Sequence, residues 1–510
     1  MNAMTDGAAV FPSRVLILGL GETGLASALW CLRQNAALHI ADTRANPPGL
    51  AALLAQGQGD ITQFLGEQAL SDAALEGVEL IVLSPGLVPS EPALAAFLKT
   101  AQDRQIAVVG EIELFARALT ELATAQAYRP QVVAITGTNG KTTVTSLAQA
   151  MLQTAGKTAI AAGNISPSAL TALMRALDEG ALPQVWVLEL SSFQMQTTHT
   201  LTPDAATVLN LTQDHLDWHR DMQEYITAKA RLLEASRIAI VNRDDAVVVG
   251  MIDDIQDIDV RSFGSDEPAL VGDVGMESAH GVLWITASEK DDFELPEAPG
   301  ARRKKNAEKP KRKRGLIKRL MPGDAMQIRG RHNMLNAQAA MLLCRELGVG
   351  WGPMLNTLRD FAAGQYRTQF ERSIAGVDFF NDSKGTNVGA TAAALDGMGR
   401  TIVLIAGGVG KGQDFSPLAA PVRRCVRAVV LIGEATEIIE QALAETGVAC
   451  HRAPGMEAAV AQALALAQEG DAVLMSPACS SFDMFRSYAH RGEVFTEAVR
   501  ALALDKGEVA

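Results

Sequence analysis

The sequence predicts an α/β protein of three domains, each built on a parallel sheet covered by helices. Three observations carry that prediction. Apolar runs rich in Val, Ile and Leu occur at 15–19, 38–41, 80–83, 132–136, 185–190, 206–211, 238–241, 402–406, 428–432 and 472–476, and they are continuous rather than alternating, as in strands buried on both faces. Alanine- and leucine-rich helical stretches separate most of them. At 510 residues, with 48% hydrophobic and 20% charged residues, the chain has a globular composition and more length than one domain uses. Breaks in the pattern divide it into 1–120, 121–363 and 364–510, the second part carrying a basic insertion at about 285–320.

The first domain opens on VLILGLGETGLA, residues 15–26. Gly19, Gly21 and Gly24 make a G-x-G-x-x-G turn between a strand and a helix, and Asp42 closes the next apolar run, LHIAD. This is the fingerprint of a Rossmann-like domain whose backbone cradles a pyrophosphate, and alone it favours a dehydrogenase. The second domain opens on VVAITGTNGKTTVTSLAQAML, a different phosphate loop. Its residues Gly137, Thr138, Asn139, Gly140, Lys141, Thr142 and Thr143 lie between a strand and a helix, where backbone N–H groups and the helix N-terminus form an anion cradle. Lys141 can reach terminal phosphates and Thr142 can hold Mg²⁺. Ile135 stands where the general pattern has Gly, so the loop is a variant of it. In the third domain, AGGVGKGQDF and SPACSSFDMF each follow a strand, which puts them at the sheet edge where open α/β folds bind ligands.

Bulk properties exclude other classes. The N-terminal MNAMTDGAAVFPSR has no basic region followed by an apolar stretch, and no run is long enough to span a membrane, so a cytoplasmic protein without stable membrane insertion is expected. Five scattered cysteines, none at metal-ligand spacing, read as reduced thiols. A net charge of −13 argues against nucleic-acid binding. Residues 301–319, ARRKKNAEKPKRKRGLIKR, reverse that charge locally and read as a solvated, disordered insertion, with an anionic partner or a membrane surface as the functional alternatives.

TGTNGKTT resembles the ATP loop of the Mur ligase superfamily, which includes folylpolyglutamate synthetases. VLELSSFQ, NLTQDHLDWH, YITAKARLL, GRHNMLNAQAA, NDSKGTNVGAT, AGGVGKGQDF and SPACSSFDMF follow in the order of its D-glutamate-adding branch, so the resemblance covers about residues 15–497 apart from the basic insertion. It implies a monomeric, ATP-dependent amide ligase of peptidoglycan precursor synthesis. The reaction would add D-glutamate to UDP-N-acetylmuramoyl-L-alanine through an acyl phosphate. Bringing an anionic carboxylate to an anionic triphosphate then requires cations and positioning.

The resemblance also distributes roles. Lys141, His215, Lys229 and Lys384 are implied in catalysis. The loop 137–143 with Asn336, Arg367 and Asp382 is implied in ATP binding, Asp382 at the ribose. Thr142, Glu189, His215 and Lys229 are implied around two Mg²⁺ sites that would tolerate Mn²⁺, with Lys229 carbamoylated. Without the resemblance, Lys229 reads as a snorkelling helical lysine and His215 as a capping or core histidine. Glu189 ends the apolar strand VWVLEL, where a bare charge is costly unless paired or metal-bound. The first loop is implied to take the uridine diphosphate, through Glu22, Thr23, Asp42, Thr43, Arg44 and Gly86, with Asn164 near the sugar or peptide. Lys384, Thr386, Lys411, Ser481, Phe482 and Tyr488 are implied in D-glutamate binding, although Ser481 also reads as a helix N-cap. Three positions depart from the family pattern: Ser166 for Gly, Tyr366 for His and Tyr488 for Phe. The alternatives are a folylpolyglutamate-type ligase, which the first loop and SPACSSFD disfavour, and a non-catalytic scaffold associating through the basic insertion, which the retained lysines, Glu189 and His215 disfavour.

Overall fold

A computed structural model describes residues 11–56, 59–253, 255, 258–290, 312–328, 330–362 and 364–508. Two compact units result: Met1–Thr136 with Gly156–Thr207 and Ile226–Ala239, and Gly137–Ala155 with Val208–Tyr225 and Ile240–Ala510.

The first unit begins with five parallel strands, β1 (Arg14–Leu18), β2 (Ala37–Asp42), β3 (Ile61–Leu65), β4 (Leu80–Leu83) and β5 (Ala107–Val109), in the order β3-β2-β1-β4-β5. The two-residue period of the strand sends Val15, Ile17, Leu38 and Ile40 to one buried face and Leu16, Leu18, Ile81 and Leu83 to the other. That explains the unbroken apolar runs. A second sheet contains β6 (Gln131–Thr136), β7 (Ala159–Gly163), β8 (Val185–Glu189) and β9 (Ala205–Val208) in the order β9-β6-β8-β7. Trp186 of β8 meets Phe115 edge to face at 5.1 Å, and its indole N–H donates to Tyr128 Oη at 3.0 Å. The helix Glu111–Ala125 is thereby tied to the second sheet.

In the second unit, the helix Lys141–Thr154 is covered by Arg331–Glu346, whose Cys344 thiol reaches the Ala148 carbonyl, and by Trp351–Asp360, whose Thr357 hydroxyl meets that of Thr154 at 3.0 Å. The strands β10 (Ile238–Asn242) and β11 (Asp259–Phe263) precede a three-stranded antiparallel sheet of β12 (Val274–Ala279), β13 (Val282–Glu289) and β14 (Leu316–Pro322). A final sheet of β15 (Gln369–Ile374), β16 (Val377–Asn381), β17 (Ile402–Gly407), β18 (Val426–Ile432), β19 (Ala449–Arg452) and β20 (Ala472–Met475) has the order β15-β16-β20-β17-β18-β19, with only β15 antiparallel. Its alternate residues, Val403, Ile405, Val430 and Val473 against Leu404, Val429, Leu431 and Leu474, serve two cores.

The α/β class and its parallel sheets hold. The antiparallel sheet and β15 were not legible, because their two-residue hairpin turns, His280–Gly281 and Ala375–Gly376 with all four φ positive, lack the usual Asn-Gly or Asp-Gly signal. The basic segment needs a correction. Residues 301–311 lie outside the described residues, but Leu316–Arg319, though solvent-exposed, are not a disordered run: they begin β14, where Lys318 pairs with Glu289 and Arg319 with Glu277, each at 2.6 Å. Arg312 donates to Asp273 at 2.6 Å and to the Val260 and Val271 carbonyls. No helix among the described residues is long and apolar enough to cross a membrane.

Glu111 is fully enclosed in the first unit. Its Oε1 accepts the Leu170 amide at 2.5 Å, while Oε2 is buried with no hydrogen-bond partner among the described residues. Burial pushes its carboxyl up to about 7, against the Leu170 and Ser168 hydrogen bonds and with help from the Glu22 charge. An unfolded Glu ionises near 4.5, so between these values the folded state holds the extra proton and stability falls as pH rises. Urea unfolding at pH 5 and pH 8 is expected to show a loss on the order of 3 kcal/mol from this group, removed in Glu111→Gln. An unchanged pH slope in the variant would contradict the assignment.

Candidate functional site

The second unit contains the phosphate loop. Gly140 has φ +87° and a Cβ there would lie 2.4 Å from Asn336 Oδ1, so only glycine lets the helix Arg331–Glu346 approach the turn. Lys141 Nζ donates to the Gly137 and Thr138 carbonyls, both at 2.9 Å, folding the ammonium over its own loop. Thr138 Oγ1 meets Tyr225 Oη at 3.0 Å and accepts the Thr212 amide at 3.0 Å. Asn139 N–H donates to Asn210 Oδ1 at 2.8 Å, and Asn210 Nδ2 returns a bond to Asn139 O at 3.1 Å. The NLTQDH segment thus braces the loop, a role its sequence did not reveal.

A cavity of ≈ 300 Å³ opens beside this turn and brings together Asn139, Gly140, Thr143, Asn336, Arg367, Asp382 and Lys384. Asn242, Phe263 and His332 also line it and were missed by sequence reading: Asn242 and Phe263 come from strand ends without a motif, and His332 lies within GRHNMLNAQAA but was given no role there. Asn336 Nδ2 donates to Asn333 Oδ1 at 3.2 Å, one turn earlier on the same helix. Asp382 is buried, accepts the Thr368 amide at 3.0 Å and pairs with Ser476 Oγ at 2.7 Å. Burial raises its carboxyl to about 6 despite those bonds and the nearby Arg367 charge. Tyr366 has φ 62° and lays its ring against Gly492, where a Cβ would be 2.4 Å from Cδ1.

The expected acceptor residues lie in three loops that follow β16, β17 and β20, apart from Tyr488, which begins the helix Tyr488–Asp505. Lys384 Nζ sits 3.8 Å from the Tyr488 ring centroid, a cation–π contact. Lys411 has φ 49° in the GGVGKG turn, Ser481 is buried and Phe482 is 73% exposed. Ser481 is not a helix N-cap. The residues after it form turns, and the next helix, Tyr488–Asp505, is capped by Ser487 Oγ, which accepts the His490 amide. Arg491, which carries no motif and was not singled out from the sequence, is buried and donates to Ser383 Oγ, Ser383 O and Cys479 O at 3.0–3.1 Å. Burial lowers its pKa to about 10, partly offset by Cys479, Asp483 and Asp382. This guanidinium fastens the NDSKGT loop to the SPACSS loop.

The first unit holds a second cavity, of ≈ 510 Å³, over the GLGETG turn. Thr23, Asp42, Thr43, Arg44 and Gly86 line it with Gly19 and Gly21. Asp42 accepts the Leu20 amide at 2.8 Å and holds Arg44 through Nε and Nη2 at 2.8 and 2.7 Å. Burial alone would raise its carboxyl, but these bonds leave it below the usual range. Glu22 lies outside that lining and accepts the Ser166 hydroxyl at 3.1 Å, a bond that the departure from Gly makes available. Asn164 Nδ2 donates to Glu189 Oε1 at 2.9 Å. Glu189 is 2% exposed and its Oε2 has no hydrogen-bond partner among the described residues. Lys229, 1% exposed, donates to Thr136 Oγ1 at 3.0 Å. Glu189 and Lys229 belong to the first unit, Thr142 and His215 to the second. Among the described residues no three His, Cys, Asp or Glu side chains gather as a metal site. An unmodified lysine could not serve as the missing anionic ligand, whereas the orphaned, buried Glu189 oxygen fits a cation.

Three family descriptions match the chain: Mur ligase MurD-like N-terminal domain over residues 13–110, Mur ligase middle domain over 135–344, and Mur ligase glutamate ligase domain over 366–479. The chain is 60% identical to the UDP-N-acetylmuramoylalanine–D-glutamate ligase of Bordetella bronchiseptica, covering 100% of both chains. It is 54% identical to the protein of that name from Ralstonia nicotianae, covering 97% of this chain and 98% of the relative. Among solved structures, MurF of Acinetobacter baumannii superposes with a TM-score of 0.56 at 16% identity, covering 95% of this chain and 94% of that one. MurC of Thermotoga maritima gives 0.53 at 16% identity, covering 96% and 99%. With two separate phosphate cradles in place and this similarity running the length of the sequence, the chain belongs to the Mur ligase family.

Proposed function

We propose that this protein joins D-glutamate to UDP-N-acetylmuramoyl-L-alanine at the expense of ATP, in cytoplasmic peptidoglycan precursor synthesis. The observation that carries this reading is 60% identity, without gaps in coverage, to relatives bearing that activity in their name. We assign residues 1–120 to the UDP-sugar, 121–363 to ATP and 364–510 to the amino acid.

The chemistry moves a phosphoryl group from ATP to the substrate carboxylate, then lets the amine displace phosphate through a tetrahedral species. Loop 137–143 takes the phosphates, and Lys141 exchanges its two carbonyl partners for phosphate oxygens. Asp382 accepts from the ribose and Arg367 offsets phosphate charge. Lys384, Thr386, Lys411 and Ser481 face the carboxylates of D-glutamate, with Phe482 and Tyr488 closing the pocket. Arg491 positions both acceptor loops. Glu189 and a carbamoylated Lys229 in the first unit, and Thr142 and His215 in the second, would hold Mg²⁺, which would offset phosphate charge. Carbamoylation would join CO₂ to the Lys229 amine, releasing a proton and leaving a carbamate anion in place of the cation. In the first unit, Thr23, Thr43, Arg44 and Gly86 receive the uridine diphosphate, and Asp42 keeps Leu20 and Arg44 in place.

ADP release with MgATP and UDP-N-acetylmuramoyl-L-alanine is expected with D-glutamate and absent with L-glutamate or no amino acid. Equal release with L-glutamate would overturn the acceptor, and no release would overturn the reaction. Lys141→Ala is expected to lower turnover at least about 100-fold with the fold retained; rates like the wild type would contradict the loop's role. Protonation of Asp382 below about 6 removes an anionic acceptor, so KM for ATP should rise as pH falls through that value. Asp382→Asn should have a raised KM that no longer varies there; an unchanged profile in the variant would place the titration elsewhere.

A further inference from the structure

Asn387 begins the helix Val388–Gly397 and is 3% exposed. A primary amide offers two N–H donors and an oxygen with two lone pairs. All four are used. The oxygen caps the helix by accepting the Ala390 amide at 2.9 Å and accepts Asn139 Nδ2 at 3.2 Å. The nitrogen donates to Asn139 Oδ1 at 2.9 Å and to Asp214 Oδ2 at 3.2 Å. The orientation of the amide follows from its neighbours: a backbone N–H can only donate, and a carboxylate can only accept. Asn139 is then oriented in turn, giving a reciprocal amide pair.

Capping alone does not require asparagine, since Ser or Asp caps as well. A serine reaches neither Asn139 nor Asp214 in this way. An aspartate would set oxygen against oxygen at both. The residue type therefore answers to the phosphate loop, not to the helix. Asn139 is the loop residue whose main chain is already clasped by Asn210. Asn387 directly follows Thr386 and lies three residues beyond Lys384. The next amide, Val388 N–H, donates to Gln413 Oε1 at 3.2 Å, and Gln413 Nε2 donates to the Gly410 carbonyl at 3.1 Å, beside Lys411. One chain of amides, buried at Asn387 and Gln413 and half-buried at Asn139, therefore runs from the phosphate loop to the loops of both acceptor lysines.

We propose that Asn387 is a positioning residue that couples occupancy of the phosphate loop to the geometry of the acceptor loops. The proposal rests on the ligase reading above. Its test uses full-length wild-type protein, Asn387→Ser and Asn387→Asp, with MgADP affinity measured by calorimetry alongside steady-state kinetics and thermal melting. Both variants keep a capping oxygen and should fold, with Asn387→Asp melting below Asn387→Ser because its carboxylate faces Asp214. The expected result is MgADP affinity weakened roughly tenfold in Asn387→Ser and further in Asn387→Asp, as two buried hydrogen bonds and then a repulsion would give. KM for D-glutamate should rise in parallel, and KM for the UDP-sugar should change less than about twofold. Wild-type MgADP affinity in Asn387→Ser would overturn the proposal, whatever its turnover; absent turnover in wild type would count against the ligase reading instead. If both variants unfold, Asn139→Ser removes the same pair from the other side: an unchanged KM for D-glutamate there overturns the coupling, and a raised one supports it.

Discussion

A Cβ on Gly24 would lie 2.0 Å from the Gly19 carbonyl oxygen, and one on Gly140 would lie 2.4 Å from Asn336 Oδ1. Both turns occur where a parallel strand hands over to a helix, and both are packed too closely for any side chain. That closeness keeps several backbone amides aimed at one point, as a pyrophosphate or triphosphate requires. A protein of net charge −13 that handles two nucleotides and several carboxylates must concentrate its favourable potential in such turns and in a few lysines. The rest of the structure holds those turns in place: β1 and β6 are buried on both faces, and Asn336, Asn210 and Asp42 fix the loops from outside.

The acceptor side is organised differently. Its loops are held by buried polar side chains that each bridge two segments: Arg491 on Ser383 and Cys479, Gln413 on Val388 and Gly410, Asn387 on Asn139 and Asp214. Buried polar groups of this kind stabilise one arrangement because leaving any of them unpaired is costly. The departures from the family pattern fit locally. Ser166 gains Glu22, Tyr366 packs on Gly492, and Tyr488 lies under the Lys384 ammonium.

Every apolar run read from the sequence overlaps a strand, because a strand buried on both faces leaves an unbroken hydrophobic signal. Strands with one wet face or little length left none: β3 (ITQFL), β5 with three residues, and β19 (ACHR). The phosphate loops were legible because glycine spacing is set by backbone geometry. Arg491, Asn387, Asn210 and Glu111 were not, since the role of each depends on a partner more than 50 residues away in sequence: Ser383, Asn139, Asn139 and Leu170. Ser481 misled for a related reason: a serine before apolar residues looks like a cap, but the helix begins at Tyr488. The basic run misled by composition, because pairing of Arg312, Lys318 and Arg319 with acidic partners is invisible in a count of charges.

The central claim is that the two cradles serve different nucleotides at once. Equilibrium titration with UDP and MgADP, separately and together, tests it most directly. The account predicts one of each per chain, with neither displacing the other and with Lys141→Ala weakening MgADP alone. Mutual displacement, or a single nucleotide bound per chain, would contradict it.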